Sequence, residues 1–239
     1  MGKLSADKNT KLLKKAIKSF WSIRNSQATG ITKSDQGNRI AVTGGKQMDG
    51  FLELLYKVAL DTGVPADCIY VKGNSLPGYF RPSKDWDFLI MSPKKQLIAV
   101  IELKSQVGSF GNNFNNRTEE ALGSAVDLWT AFREQGFPQM QPPWLGYLIL
   151  LEKTNKSIRP VKVQEPFFKV RPEFHNTSYL ERYVQFCHKL MRERLYSSAC
   201  LLWTNEQLEF GSPDEDISFD SFVSSFIGFI QGKSKEFSE

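Results

Sequence analysis

Asp87, Glu102 and Lys104 are the residues of this 239-residue chain whose types and spacing could do chemistry. Asp87 opens one short apolar run, Phe88 to Met91, and Glu102-Leu103-Lys104 closes another, Leu97 to Leu103. Side chains alternate across a strand, so Glu102 and Lys104 share one face while Ile101 and Leu103 point into the core on the other. Pairing of the two runs brings Asp87 beside Glu102. Carboxylates and an ammonium gathered at the ends of buried strands are costly unless they have a task or a partner. Two hard oxygen ligands suit Mg²⁺, which takes one or two carboxylates together with water and substrate phosphate. The Leu103 carbonyl is available as a third oxygen. A neighbouring lysine can orient or deprotonate an attacking water. The chemistry implied is metal-assisted hydrolysis of a phosphodiester. The plain alternative is a Glu102–Lys104 surface pair on an edge strand. Asp85 falls on the same face as Asp87; Asp87 is preferred as the ligand because it abuts the apolar run.

The elements that must position these residues follow from the pattern of the chain. Ser92-Pro93-Lys94-Lys95 is a polar turn, so the two apolar runs read as a hairpin of largely buried strands. Ile69 to Lys72 is a short strand ahead of them, and Gly73 to Pro82 a loop that delivers Arg81, Lys84 and then Asp87. Asp49 can cap a helix running to about Asp61. Beyond Gln106 the chain places Asn112, Asn113, Asn115, Asn116 and Arg117 within six positions. Amide side chains pair with adenine and arginine with guanine in the major groove, while Asn and Gly also build turns. A helix is expected from about Thr118 to Arg133, with Leu122, Ala125, Val126 and Trp129 buried and Gly123 allowing close approach to the sheet. Leu145 to Glu152 is apolar throughout and reads as a central strand.

Further along, residues 153–176 are irregular, Pro-containing and basic, suited to wrapping a duplex or to a surface loop. Ser178 to about Tyr196 is an amphipathic helix with Tyr183, Phe186, Leu190 and Met191 inward. Ala199 to Thr204 is a final strand. Phe219 to Ile230 is a Phe-rich helix that packs on the core or forms a dimer interface. At the other end, Leu13, Ile17, Phe20 and Trp21 share a helical face opposite Lys11, Lys14, Lys15 and Lys18. Thr29 to Gly50 is polar and Gly-rich, without the spacing of a nucleotide-binding P-loop.

Composition agrees with a DNA-acting enzyme without requiring one. The net charge is +5 and the pI about 9.0, a modest basic excess useful towards a polyanion. Three cysteines without a CxxC suit free thiols in a reducing cytoplasm, and two separated histidines give no zinc spacing. There is no long apolar span and no signal-peptide pattern at the start, so neither membrane insertion nor export is expected.

The arrangement Asp87 … Glu102-x-Lys104 on paired strands resembles the signature of the PD-(D/E)xK nucleases, with Trp86 where that signature has proline. The block from Ile101-Glu-Leu-Lys-Ser-Gln through Val107-Gly-Ser-Phe-Gly-Asn-Asn-Phe-Asn-Asn-Arg to Trp129 is similar to the XhoI family of type II restriction endonucleases. The resemblance implies a restriction-endonuclease-like α/β fold, with a central mixed sheet flanked by helices and with helical elaborations at both ends. It fits one domain over residues 1–239 with its catalytic core at about 48–151. It further implies Mg²⁺-dependent cleavage of both strands of duplex DNA at CTCGAG, after the first C, with a 5′ overhang. A homodimer is implied too, and a cognate methyltransferase acting on the same site without a stable complex. Asp87, Glu102 and Lys104 would be catalytic. Metal would sit on Asp87, Glu102 and Leu103, with Glu53 on the first helix as a further ligand, since several families with this core add a glutamate there. Arg81, Lys84, Gln106, Asn112, Asn113, Asn115, Asn116 and Arg117 would contact DNA. Read from residues alone, a junction resolvase, a nicking repair enzyme and a non-catalytic DNA-binding protein stay open.

Overall fold

The structure, a computed structural model, describes residues 3–29, 46–71, 73–138 and 141–237. Most of the Gly-rich stretch, residues 30–45, and Lys72 of the first expected strand lie outside them.

Among the described residues, α-helices and strands follow one another as α1 (Lys3–Thr29), α2 (Asp49–Asp61), β1 (Ile69–Tyr70), β2 (Ser75–Pro77), β3 (Ser83–Asp85), β4 (Phe88–Met91), β5 (Leu97–Gln106), α3 (Phe110–Arg133), β6 (Trp144–Glu152), α4 (Asn155–Ile158), α5 (Tyr179–Arg192), β7 (Ser198–Thr204), β8 (Phe210–Gly211) and α6 (Phe219–Gly232). The main sheet has the order β1-β4-β5-β6-β7-β8. β1, β4 and β5 pair antiparallel, β5, β6 and β7 parallel, and β8 closes the far edge antiparallel. β6 is therefore central, as its unbroken apolar run requires of a strand covered on both faces. β8 follows β7, so Ser198–Thr204 is not the last strand, although it stands where expected.

Side-chain parity splits the core in two. Ile101 and Leu103 of β5, Leu148 and Leu150 of β6, and Phe88 and Ile90 of β4 pack against α1, α2 and α6. Val100, Leu89, Tyr147, Ile149 and Leu151 pack against α3 and α5. The amphipathic face of α1 is buried as its spacing demands, at Leu13, Ile17, Phe20 and Trp21, with Lys11, Lys14, Lys15 and Lys18 exposed. Phe219, Phe222, Val223, Phe226 and Ile230 of α6 are consumed by the first of these cores, so that face covers the sheet of its own chain. Cys187 and Cys200 are fully buried and Cys68 nearly so, all three as free thiols.

Several boundaries differ from expectation for tertiary reasons. Met48, not Asp49, stands at the N-cap of α2, and Asp49 is the first helical residue. Gly73–Pro82 is not a plain loop, because β2 and β3 pair as a separate two-stranded ribbon, Ser75 opposite Asp85 and Pro77 opposite Ser83. α3 begins at Phe110, well before Thr118, directly after Gly108 (φ 63°) and Ser109 (φ 42°), both left-handed. Glu119 and Glu120 consequently lie well inside the helix, where Glu120 accepts from Arg117 at 2.6 Å. The buried face of α3 is Ala121, Ser124, Ala125, Asp127, Leu128 and Ala131, while Leu122 and Val126 are exposed and Gly123 faces open space. The expected burial of Leu122 and Val126 thus fails by a rotation of the helix. α5 stops at Arg192, four residues short of Tyr196.

Candidate active site

β4 and β5 meet as a hairpin in which Phe88 pairs with Ile101. The next residues out, Asp87 and Glu102, therefore stand side by side where β4 ends and β5 continues along β6. By parity Asp87, Glu102, Lys104 and Gln106 all point to the α3–α5 side of the sheet. An Asp87 Oδ2 atom accepts the Leu103 N–H at 2.7 Å. Amide and carbonyl of one residue point to the same edge of a strand, so the Leu103 carbonyl opens on the Asp87 side, beyond the last β4 pair.

Asn74 fixes the approach to Asp87. Its buried side-chain amide donates to the Trp86 carbonyl at 2.7 Å and to the Asp87 carbonyl at 3.0 Å, and its main-chain carbonyl accepts from Trp86 N–H at 3.1 Å. Nothing in the sequence marks Asn74 for this task, since its partners lie 12 and 13 positions away.

Glu102 is 4% exposed and takes an ammonium on each oxygen. Lys104 Nζ donates to Oε1, and Lys84 Nζ reaches Oε2 at 2.9 Å. Lys84 comes from β3 and also lies 4.4 Å from the centre of the Trp86 ring. Burial, reinforced by the nearby Glu102 charge, pushes the Asp87 carboxyl up from 3.8 to about 6. For Lys104, burial works towards a lower pKa, but the Glu102 charge and hydrogen bond outweigh it and raise the ammonium above its usual value. Lys104 is thus a cation at neutral pH, able to donate to a water or a phosphate oxygen and unable to take a proton.

The donor set fits a hard cation. Burial and then the neighbouring Glu102 charge make Asp87 resist ionisation, and a backbone oxygen opens beside the two carboxylates; a divalent ion would offset both effects. Among the described residues no three His, Cys, Asp or Glu side chains gather as metal ligands, so the acidic part of such a site is this pair.

The remaining candidates distribute as follows. Glu53 is not brought to the site: on α2, which packs against the opposite face of the sheet, it is gripped by Lys57 at 2.7 Å and Lys15 at 2.9 Å, and these bonds hold its carboxyl down at about 2. Asp85 is exposed in the ribbon opposite Ser75. Arg81 turns from the site to Asp127, with Nε 2.7 Å from Oδ2. Gln106 is 1% exposed and donates to the Gly108 carbonyl while accepting from the Tyr183 hydroxyl at 3.3 Å, so it stands inside the protein and not on its surface. Asn112, Asn115 and Asn116 are exposed and Asn113 half-buried, all on the first turns of α3 and not in a loop. Arg117 joins Glu120 and reaches the Ser105 carbonyl at 3.4 Å. His188 pairs with Asp214 at 3.2 Å and Cys187 is buried in the core, away from any catalytic pairing.

A mixed sheet with helices on both faces, entered by an antiparallel hairpin and continued by a parallel β–α–β unit, is a restriction-endonuclease-like fold. Comparison with known proteins agrees. The family described as restriction endonuclease XhoI matches residues 27–212. The type II restriction enzyme BstVI of Geobacillus stearothermophilus is 49% identical over 216 residues, covering 86% of this chain and 95% of that protein. The type II restriction enzyme XhoI of Xanthomonas vasicola is 45% identical over 186 residues, 76% and 75% of the two chains. The type II restriction enzyme AbrI of Azospirillum brasilense is 43% identical over 164 residues, 65% and 72%. The chain belongs to the XhoI family of type II restriction endonucleases, which are site-specific deoxyribonucleases. No solved structure matches it.

Proposed function

We propose that the chain cleaves both strands of duplex DNA at CTCGAG, after the first C, using Mg²⁺ held by Asp87, Glu102 and the Leu103 carbonyl. The observation that carries the reading is the pairing of half-buried Asp87 with buried Glu102, with Lys104 bound to Glu102 at the open end of β5. The Xanthomonas vasicola relative carries the XhoI name itself, which supports the choice of hexamer. When bound, the metal supplies Lewis acidity at the scissile phosphate and a more acidic water.

The chain's own residues do the rest. Asp87 and Glu102 present oxygens from two paired strands whose geometry the Leu103 N–H and Asn74 hold fixed. Lys104, being protonated, orients the attacking water by donation and offsets charge that develops on the phosphate. Lys84, the second cation on Glu102, balances that carboxylate and adds positive charge beside the site. Asn112, Asn113, Asn115, Asn116 and Arg117 project from the first turns of α3, and a helix presenting amides and an arginine can read base edges in a major groove. A homodimer would set two sites across the two-fold axis of a palindrome. Free buried thiols support a place in the reducing cytoplasm, beside a methyltransferase that protects the same sequence without binding this chain stably.

The test is digestion of a plasmid with a single CTCGAG, in Mg²⁺ and in EDTA. One linear product in Mg²⁺ alone, with ends inside the hexamer, is expected. Ends elsewhere would refute the assigned sequence and leave the active site standing. Absence of any cutting, with Glu102→Ala binding DNA as the wild type does, would turn the reading to a binding protein.

A further inference from the structure

The tip of the β2–β3 ribbon is built around a buried carboxylate that the cleavage chemistry does not use. Asp127, on α3, has a side chain only 6% exposed. One of its oxygens accepts the backbone N–H groups of Tyr79 and Phe80, both at 2.8 Å, and the other accepts Arg81 Nε at 2.7 Å. A Cβ on Gly78 would stand 2.5 Å from Asp127 Oδ2 and 2.7 Å from the Arg81 carbonyl. Asp127 thus holds the backbone at Tyr79 and Phe80 and the side chain of Arg81, and Gly78 lies too close to it to carry a side chain.

Above that anchor are two aromatic rings in solvent. Tyr79 is 53% and Phe80 70% exposed, and they meet edge to face with centroids 5.0 Å apart. Single exposed apolar residues are ordinary. Two adjacent rings, held out by a loop whose own backbone polar groups are tied to a buried acid, are a rigid apolar probe. Such a probe loses little conformational freedom on binding.

Its place favours DNA as the occupant. The ribbon that carries the rings also carries Lys84, four residues on, to Glu102 at 2.9 Å, and then leads through Trp86 to Asp87. Lys84 is four residues from Phe80, so the rings lie no farther than roughly 13 Å of extended chain, about four base steps of duplex at ~3.4 Å each, from the Lys84 backbone whose side chain reaches Glu102. Rings that close to the Lys84–Glu102 contact fall within reach of a six-base-pair duplex bound at the Asp87 site.

We propose that Tyr79 and Phe80 are a DNA-contacting element that packs its rings against bases of the cleavage site, with Asp127 and Arg81 as the scaffold that holds them out. This rests on the nuclease reading above. Arg81, expected from sequence to touch DNA itself, becomes a strut beneath the residues that do.

The test compares wild type, Tyr79→Ala/Phe80→Ala and Phe80→Trp on a CTCGAG duplex, with Ca²⁺ in place of Mg²⁺, by fluorescence anisotropy over a range of salt concentrations. Ring–base packing predicts roughly 10- to 100-fold weaker binding of the double variant. It also predicts the wild-type slope of affinity against salt, since no phosphate contact is lost, and wild-type melting. Phe80→Trp should bind as the wild type does. Equal affinity of wild type and double variant, in a protein whose wild type cuts the plasmid, would overturn the inference and leave the function intact. A double variant that sediments at half the wild-type mass would overturn it in favour of a surface for a second copy of the chain. A wild type that binds no duplex would sink both readings.

Discussion

Replacing Asp87 by Asn should stabilise the metal-free protein, and the amount follows from the site. The folded carboxyl titrates at about 6 against 3.8 for the free group, because burial and the neighbouring Glu102 charge both oppose its ionisation. A carboxyl whose folded pKa lies above its unfolded one binds its proton more tightly in the folded state. Between pH 4 and pH 6 the folded chain therefore holds more protons than the unfolded one, and stability falls as pH rises through that window. Above it the full cost is present: about two pH units at ~1.4 kcal/mol each, or about 3 kcal/mol. Asn keeps an oxygen for the Leu103 N–H, now 2.7 Å from Oδ2, so the substitution removes the charge and spares the hydrogen bond. Urea unfolding in EDTA should show Asp87→Asn more stable than wild type by about 2–3 kcal/mol at pH 8 and equal to it near pH 4. Added Mg²⁺ should stabilise the wild type at pH 8 and leave the variant unmoved. A pH-independent difference, or a variant less stable at pH 8, would refute the claim that partial burial and the neighbouring Glu102 charge oppose ionisation of Asp87. Cutting by the variant would refute its catalytic place.

Three further outcomes are expected. Lys104→Met should lower the cleavage rate by roughly 100- to 10,000-fold while anisotropy in Ca²⁺ shows DNA binding close to wild type; a comparable loss of binding would make Lys104 a DNA anchor instead. Glu53→Gln should leave plasmid cleavage unchanged and cost no more than about 1 kcal/mol in urea, since its two lysine partners are surface groups; a hundredfold loss of cutting would return Glu53 to the metal site. Gly78→Ala should cost at least about 1–3 kcal/mol, by pushing Asp127 from its bonds to the ribbon tip, and a melting temperature equal to wild type would show that the tip yields freely.

The β4–β5 hairpin was legible in the sequence because its causes are local. A polar Ser-Pro-Lys-Lys turn, two apolar runs and strict alternation fix which residues share a face, and the observed register puts Asp87 beside Glu102 as that argument requires. The start of α3 was not legible, because local preference opposes it. Gly111 and four asparagines are weak helix formers, yet the helix already runs through them: Phe110 stacks on Tyr179, and Phe114 packs edge-on against Tyr183 and Phe186. Those partners arrive some 70 residues later in the chain, where no window around Asn112 can see them. The ribbon tip was hidden for the same reason, since Asp127 lies 46 to 48 positions from the residues it holds. Glu53 shows the opposite failure. It pairs with Lys57 one helical turn on, whereas the family resemblance drew it to the metal.

The three buried thiols have a consequence for handling and for kinetics. Burial pushes the Cys187 thiol up to about 12 and the Cys200 thiol well above its usual value, so in the folded enzyme neither offers a thiolate to an alkylating reagent. Cys187 sits between α5 and the sheet and Cys200 on the other side of β7, in different halves of the core. Their labelling must wait for the structure to open. Mass-resolved alkylation of the two then works as a pair of clocks, one for each face, and tells whether the layers come apart together or one before the other.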